Sequence, residues 1–372
     1  MTENFSSIPI LDYSLSTSPG TRPEFLRDLR DALIKVGFFY LQNHQVPTTA
    51  RQDLLNQSQE LFDLSPEKKS EIDMSNSKHF VGYVGLDQST TSKKQDHRET
   101  YTLGYEQPAP GPNEPVYRNL QGPNLWPDKK ILPRFKPVIE TYMAEVAKLA
   151  DEFKVLIAEA LGIHLPELMN LFDAEPFGRL TLAKYSKPES GSEEQLTQGK
   201  GRHKDSGFLT FLLPGTPHMG LEAMNAAGEW IPVPPIPGAM IINVGVQLEA
   251  LTDGVCNAAI HRVLVQRRDF IDDHGHDMGP RFSFPLFLTI SLNKACKKPL
   301  DLPQHILAMV TDDDVRQTAR SNLQRLFQGG CAGNRVFNER LRVYRKAAHK
   351  WWPDHLAEAL QQQLDKPVYT IR

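Results

Sequence analysis

Two residues with metal-binding side chains stand just before an apolar stretch at 208–213. His203 and Asp205 are two positions apart, so both side chains point to the same face of an extended strand. His261, about 55 residues further along, is the candidate third ligand. Two neutral imidazoles and one carboxylate leave the opposite coordination positions of an ion open, which suits non-haem iron(II) and dioxygen. Because an H-x-D pair is common by chance, the pair alone does not establish a metal site.

A second polar pair opens the next strong β-like run. Arg281 and Ser283 again share one face of a strand, and a guanidinium beside a hydroxyl forms a fork that can bind a carboxylate. A lone R-x-S pair is more often the end of a surface strand. Its value here comes from its position after the candidate third ligand.

The elements that must position these residues are predicted to be short strands. Such runs, separated by turn signals, are typical of an all-β sandwich or barrel. They lie at 179–185, 208–213, 230–233, 239–244, 261–265 and 282–290.

Helices are predicted on both sides of this β-rich part, with two short strands near the start. The strands are an edge strand at 8–12 and a buried one at 36–41, and the helices are at 22–34, 49–64, 135–161 and 312–364, with a further helix started by Ser65 as N-cap and Pro66. Gly162 is the predicted C-cap of the long helix. The stretch 105–127, rich in proline and glycine, is an irregular connection and the candidate seam.

Composition sets the broad class. The chain has 372 residues with 42 basic and 45 acidic side chains, and a near-neutral balance argues against a general nucleic-acid binder. With 40% hydrophobic and 23% charged residues it is typical of a globular protein. No apolar run approaches the ~20 residues of a membrane span, and the start lacks a signal-peptide pattern. The three scattered cysteines argue against a disulfide framework or a thiolate metal site. We expect a cytoplasmic enzyme, monomeric by default.

Taken together and in order, these motifs resemble the iron(II)/2-oxoglutarate oxygenases of the isopenicillin N synthase-like family. The resemblance covers roughly residues 8–292, and its combination of motifs is specific although no single piece is. The matching segments besides the H-x-D, His261 and R-x-S motifs are Ile8–Asp12, Val36–His44, Asp63–Lys69, Gly82–Tyr83, Asp96–Glu99 and Leu125–Pro127.

The resemblance implies a fold and a reaction. The fold is mainly β: a distorted double-stranded β-helix, or jelly roll, with a helical or mixed N-terminal region (1–125), a helix and the oxygenase core (126–310) and a helical C-terminal tail (311–372). The reaction is hydroxylation, desaturation or ring formation on a small organic molecule. It uses iron(II), O2 and 2-oxoglutarate, which is converted to succinate and CO2, with ascorbate as the reductant in an assay.

The resemblance also assigns roles to residues. His203, Asp205 and His261 would bind iron and be catalytic. Arg281 and Ser283, helped by Tyr185, would hold the distal carboxylate of 2-oxoglutarate. The positions that depart from the family's pattern are Gln45, Ala183–Lys184, Ser186 and Gly245–Val246. They leave open how the C1 carboxylate of 2-oxoglutarate is supported, and they fit a microbial member better than a plant one.

Two alternative functions stay open at this point. In isopenicillin N synthase-like members the R-x-S fork holds a carboxylate of the substrate itself, so a 2-oxoglutarate-independent oxidase is compatible with the same motif. A non-catalytic jelly-roll binding protein is the other alternative, although an intact triad argues against it. The substrate is expected to be a moderately apolar secondary metabolite.

Four further features allow both a functional and a structural interpretation. The polar loop 186–200 is either a flap over the site or an insertion. The polar loop 269–279 holds an Asp/His cluster at 272–277 that we interpret as solvated rather than catalytic. Phe211, Phe284 and Phe287 either pack in the core or line a pocket. Trp351 and Trp352 either pin the tail to the core or close the pocket mouth.

Overall fold

The computed structural model describes residues 4–92, 94–172, 177–189 and 195–364. Two facing sheets dominate it. The strands are β1 Ile10–Asp12, β2 Phe38–Gln42, β3 Gly82–Val84, β4 Ser89–Thr91, β5 Lys94–Asp96, β6 Glu99–Gly104, β7 Gly178–Tyr185, β8 Thr197–His203, β9 Leu209–Pro214, β10 Leu221–Met224, β11 Trp230–Pro232, β12 Met240–Val244, β13 His261–Val265 and β14 Arg281–Leu288.

The sheets have the organisation of a jelly roll. The major sheet has eight strands in the order β1-β2-β12-β9-β14-β7-β6-β3, and the minor sheet has four in the order β11-β10-β13-β8. Every pairing is antiparallel except that of β1 with β2. The hairpin β4–β5 lies beside the minor sheet and joins it through the bond from the His97 amide to the Gln198 carbonyl (2.8 Å). The prediction of a mainly β, jelly-roll fold is therefore confirmed.

Helices cover the outside of the major sheet and form the end of the described chain. They are α1 Arg22–Asp31, α2 Thr48–Phe62, α3 Pro66–Glu71, α4 Phe135–Leu161, α5 Leu165–Met169, α6 Val246–Leu251, α7 Gln304–Leu307, α8 Asp313–Leu326, α9 Ala332–Val343, α10 Arg345–Trp351 and α11 Pro353–Leu364. Within the described ranges none of the helices combines the length and apolar character needed to cross a membrane.

The observed bounds of the long helix agree with those that local sequence signals predict. Helix α4 spans the predicted residues 135–161 and ends at Gly162, which adopts φ +67° as a left-handed C-cap. Likewise Ser65 caps α3 by accepting a hydrogen bond from the Lys68 amide. Phe153 of α4 packs its ring edge-on against Phe211 of β9, with the ring centroids 5.8 Å apart. Phe211 is therefore a core residue.

The predicted loop 186–200 is wrong in its second half. Residues Thr197–His203 form β8, which pairs with β13, while 190–194 lie outside the described residues. The segment contains two glycines and no apolar side chain at 197–203, so it lacks the alternating pattern of a half-buried strand. It is a strand because both its neighbours are in place: β13 on one edge, and the β4–β5 hairpin, to which the Gln198 side chain donates hydrogen bonds.

The tail packs on the rest of the protein through its aromatic residues. The indole N–H of Trp351 donates to the Ser75 carbonyl (2.9 Å), and that of Trp352 donates to the Lys78 carbonyl (3.1 Å). Trp352 also packs edge-on against Phe337 of α9. These contacts fix α10 to the segment before β3, as the pinning interpretation predicted.

Candidate metal and co-substrate site

The three predicted metal ligands come together at one end of the space between the sheets. His203 ends β8 and His261 begins β13, and the two residues are paired directly across the strands, with ring centroids 4.2 Å apart. Asp205 follows in the turn to β9, and its Oδ1 lies 3.5 Å from Nε2 of His203 and 3.7 Å from Nε2 of His261. One ligand atom from each residue lies within 4.8 Å of the others, so a single ion between them could contact all three.

Backbone carbonyls orient both imidazoles. Nδ1 of His203 lies 2.8 Å from the Gly201 carbonyl, and Nδ1 of His261 lies 3.1 Å from the Ala259 carbonyl. A carbonyl can only accept, so Nδ1 carries the proton in each ring and the lone pair of Nε2 faces the shared centre. Phe38 of β2 packs edge-on against the His261 ring at 5.1 Å and holds it from behind.

Two buried polar side chains orient the carboxylate. The Thr210 hydroxyl (2.5 Å) and the Asn243 amide (2.8 Å) both donate to Oδ2 of Asp205. Their bonds occupy Oδ2 and leave Oδ1 directed toward the histidines. This is the arrangement that metal sites use to fix a ligand's orientation. Thr210 lies in β9 and Asn243 in β12, so two neighbouring strands of the major sheet hold the Asp205 carboxylate in place.

The charge states suit a divalent cation. Burial and the nearby His261 lower the pKa of His203 to about 4, so its imidazole is neutral and can act as a ligand at pH 7. Burial alone would raise the pKa of Asp205, but the two histidines and the Thr210 hydroxyl hold it well below its usual range. A carboxylate beside two imidazoles is the donor set that iron(II) oxygenases require.

The start of helix α6 fixes the turn that carries Asp205. The Val246 amide donates to the Asp205 carbonyl (2.8 Å), and the Gln247 amide donates to the Gly207 carbonyl (3.0 Å). A Cβ on Gly245 would lie 2.0 Å from the Gly207 carbonyl oxygen, so only glycine allows this approach. Lys204, between the two ligands, is held by Glu249 of the same helix, with Nζ–Oε distances of 3.0 and 3.2 Å.

The predicted carboxylate-binding residues lie on the neighbouring strands β14 and β7 of the major sheet, and Tyr185 packs with residues of the minor sheet. Arg281 is paired directly opposite Tyr185 of β7, and its guanidinium lies 4.7 Å from the centre of the Tyr185 ring. Nε of Arg281 donates to the Met219 carbonyl (3.1 Å), while the buried Nη1 has no hydrogen-bond partner among the described residues. Ser283 is buried on the same strand face. A buried guanidinium with one free donor beside a hydroxyl and a phenol fits the distal carboxylate of 2-oxoglutarate.

Other sequence candidates lie elsewhere. Asp272 is the centre of an exposed turn, where its carboxylate accepts from the backbone amides of His274 and His276. Among the residues that the structure describes, the triad is the only group of three or more His, Cys, Asp or Glu side chains arranged to hold an ion. Phe284 is fully buried in the core, whereas Phe287 is half-buried on the strand face of Arg281.

Three functional candidates were missed by the sequence analysis: Thr210, Asn243 and Arg98. Thr210 and Asn243 each interrupt an otherwise apolar strand, Leu209–Pro214 and Met240–Val244. A polar side chain at a buried strand position needs a partner, and this signal could have found both. Arg98, just before β6, lies beside Tyr185, which lines the space between the two sheets, here called the cavity.

Comparisons with known proteins agree with this geometry. Residues 8–129 match the model of the N-terminal region of the non-haem dioxygenase in morphine synthesis, and residues 177–290 match that of the 2OG-Fe(II) oxygenase superfamily. A 2-oxoglutarate-dependent dioxygenase of Gibberella zeae is 41% identical over 367 residues, which are 98% of this chain and 96% of the relative. The 2-oxoglutarate-dependent dioxygenase frbJ of Dothideomycetidae sp. is 37% identical over 96% of both chains.

Solved structures share the fold at lower identity. A full-length Neurospora crassa protein, crystallised with alpha-KG and thymine, has a TM-score of 0.65 at 22% identity, over 87% of this chain and 97% of that protein. JOX2, in complex with 2OG, Fe and JA, has a TM-score of 0.62 at 23% identity, over 82% of this chain and 84% of JOX2.

A jelly roll with two histidines and one carboxylate converging between its sheets defines the class of mononuclear non-haem oxygenases. Within that class, the chain belongs to the iron(II)/2-oxoglutarate-dependent oxygenases of the isopenicillin N synthase-like family. It is an oxidoreductase that uses iron(II), 2-oxoglutarate and O2 to oxidise a small organic molecule.

Proposed function

We propose that His203, Asp205 and His261 hold the catalytic iron(II), and that Arg281, Ser283 and Tyr185 bind the distal carboxylate of 2-oxoglutarate. The oxidised compound is a secondary metabolite, and the enzyme works in the cytoplasm as a monomer that binds no nucleic acid. The fungal origin of the two relatives above supports a role in secondary metabolism. We place the N-terminal region at 1–125, the oxygenase core at 126–310 and the helical tail at 311–372, because the proline- and glycine-rich stretch 105–127 is the candidate seam.

The main support for the metal-site assignment is the orientation of all three ligand side chains. Each has its second heteroatom engaged by the protein: Nδ1 of His203 and of His261 by a carbonyl, and Oδ2 of Asp205 by Thr210 and Asn243. A chance cluster of two histidines and an acid would not have every remaining atom turned toward one point.

The chain's own residues prepare the site. When bound, iron(II) would react with O2 and 2-oxoglutarate, which is oxidatively decarboxylated to succinate and CO2, and this would supply the oxidant. Asp205 would neutralise part of the ion's charge, and His203 and His261 would supply its two nitrogen ligands. Arg281, opposite Tyr185, anchors the far end of the co-substrate and so determines which way its ketoacid end points. Phe38 and the apolar residues between the sheets exclude water from the reacting atoms.

The 2-oxoglutarate-independent oxidase is disfavoured as an alternative. The R-x-S pair alone does not separate the two activities, but both long relatives are named 2-oxoglutarate-dependent dioxygenases. The Neurospora crassa protein and JOX2 were solved with thymine and with JA, so structural likeness does not indicate one particular substrate.

Succinate release tests the proposal. Purified protein is given iron(II), ascorbate, 2-oxoglutarate and O2, first alone and then with a panel of small organic molecules. We expect succinate that depends on iron and rises with one added compound. An anaerobic titration of the protein with iron(II) and 2-oxoglutarate, followed by the visible charge-transfer band of the chelate, separates a missing substrate from a missing co-substrate site. Protein that binds iron but shows no band on adding 2-oxoglutarate would contradict the assignment.

A further inference from the structure

A second arginine, in addition to Arg281, lies beside Tyr185. Arg98 precedes β6, and its side chain is 14% exposed. Its Nε is buried and has no hydrogen-bond partner in the part of the chain that the structure describes. Burial acts against the charge, yet Tyr185 and Asp96 together raise the pKa of Arg98, so the guanidinium is fully charged. A buried charged donor without a partner is costly unless a ligand completes it.

The nearby acid is already engaged. Asp96 is fully buried, and its Oδ1 accepts from the Gln198 side chain (3.0 Å) and from the Gly201 amide (3.2 Å). Its Oδ2 accepts from the Thr91 hydroxyl at 2.7 Å. Arg98 Nη2 stays 3.6 Å from Oδ2, a distance too long for a strong charge-assisted bond. Asp96 therefore holds the β4–β5 hairpin to β8. It leaves hydrogen-bond donors of the Arg98 guanidinium without a close acceptor.

A second basic group shares the same acid. Lys200 lies on β8, and its Nζ is 3.9 Å from Oδ2 of Asp96. Desolvation and the charge of Arg98 lower the pKa of Lys200 to about 7, and Arg340 of α9 acts in the same direction. Asp96 thus faces the charged Arg98 and also Lys200, which is partly protonated at pH 7. The region beside Tyr185 has a surplus of positive charge.

This surplus remains after the co-substrate is counted. Iron(II) and Arg281 bring three positive charges, while Asp205 and the two carboxylates of 2-oxoglutarate bring three negative ones. That set is neutral by itself. Arg98 and Lys200 share the single charge of Asp96, so one positive charge is left for a further anion when Lys200 is protonated. A single carboxylate offers one negative charge in the planar, two-oxygen form that a guanidinium binds best.

We propose that the substrate to be oxidised is a small organic acid, whose carboxylate is held by Arg98 with help from Lys200. The inference rests on the proposed function, because it assigns the second anion of a site whose first anion is 2-oxoglutarate. Arg98 then acts as a specificity residue: it selects acids over their neutral derivatives and holds the rest of the molecule toward the iron end of the cavity.

The test uses calorimetric titration of the anaerobic iron(II)–2-oxoglutarate protein with benzoate, phenylacetate and octanoate, each matched by its primary amide. We expect at least one acid to bind about tenfold or more tightly than its amide. Arg98→Gln should remove this preference and weaken binding of that acid about 10- to 100-fold, while Arg98→Lys should lose less than about tenfold. Arg134→Gln is the matched control, since Arg134 is a two-thirds exposed arginine paired with Asp53 on the helical side.

The outcomes distinguish failure of the proposed function from failure of the organic-acid proposal. Wild-type protein without a charge-transfer band refutes the proposed function itself. A band in the wild type that is lost in Arg98→Gln shows that Arg98 anchors 2-oxoglutarate, and this overturns the organic-acid proposal. So does equal binding of every acid and its amide, no binding of any acid, or an acid preference that survives in Arg98→Gln. A preserved band with a lost acid preference supports it.

Discussion

The metal end and the anion-binding end of the same cavity are built in opposite ways. At the metal end every heteroatom that does not face the shared centre has a protein partner, as with Oδ2 of Asp205 and Nδ1 of both histidines. At the anion end, Nη1 of Arg281 and Nε of Arg98 are buried and unpartnered within the described chain. The first end is saturated by the protein, and the second is left incomplete.

The difference follows from what each end must do. A metal ligand needs a fixed direction and a deprotonated atom, and a partner at its other heteroatom provides both. An anion-binding group needs free donors, and an unsatisfied buried donor costs about 1–3 kcal/mol until the ligand restores it. Substitutions at the metal end should therefore weaken iron binding. Substitutions at the anion-binding end should instead weaken the affinity for organic anions.

The largest effect is expected from removing a metal ligand. Asp205→Ala should lower iron-dependent turnover by more than about a hundredfold, the upper end for residues that only support ligands. The fold should persist, because α6 holds the turn through the backbone of Asp205. Succinate release and far-ultraviolet circular dichroism measure both, and His203→Ala should behave the same way. Near-normal turnover in either variant would show that the triad is wrongly assigned.

The next largest effect is expected at the anion end. Arg281→Lys should raise the KM for 2-oxoglutarate by about 10- to 100-fold, because lysine cannot reproduce the planar fork. Iron affinity should change less than about twofold. Arg262→Lys is the control, since the Arg262 side chain alternates with that of His261 along β13, pairs with Glu222 (2.7 Å) and lies over the Trp230 ring. If KM stays constant in Arg281→Lys, Arg281 serves another purpose.

A smaller effect should follow at the metal end when one orienting bond is removed. Asn243→Leu or Thr210→Val takes one donor from Oδ2 of Asp205 and should weaken iron(II) binding about tenfold with 2-oxoglutarate saturating. Thr102→Val is the matched control, because it removes the hydroxyl contact to Thr181 (3.2 Å) elsewhere on the same sheet. The charge-transfer band reports the iron affinity. Variants whose iron titrations match the wild type would show that Oδ2 needs no partner.

Sequence reasoning worked where the signal was local. Helix α4 with its C-cap Gly162 and the six predicted strands all appear, with ends shifted by a few residues at most, because periodicity and capping act within a few positions. The H-x-D and R-x-S pairs could be found because period two puts each pair on one face. Strand β8 was missed because its structure depends on neighbours that are distant in sequence.

The same limit explains the missed site residues. Asn243 lies 38 residues from Asp205, and their contact exists only because β12 pairs with β9 in the major sheet. Arg98 meets Tyr185 because β6 pairs with β7. The excess of positive charge beside Tyr185 depends on the assembled fold. Lys200 is distant in sequence from Asp96 and Arg98, and only the folded chain brings the three side chains together.

The smallest effect is expected in the loop that carries the second His/Asp cluster. Asp272 already accepts from the amides of His274 and His276, and the His276 side chain is 78% exposed. Replacing His274 and His276 together by alanine should leave iron affinity and succinate release within about twofold, because exposed loop side chains away from a site seldom contribute more. Iron titration of this double variant beside Asp205→Ala makes the contrast direct. A loss of stoichiometric iron binding in the loop variant would place the metal there, and it would remove the basis for treating the saturated end of the cavity as the iron site.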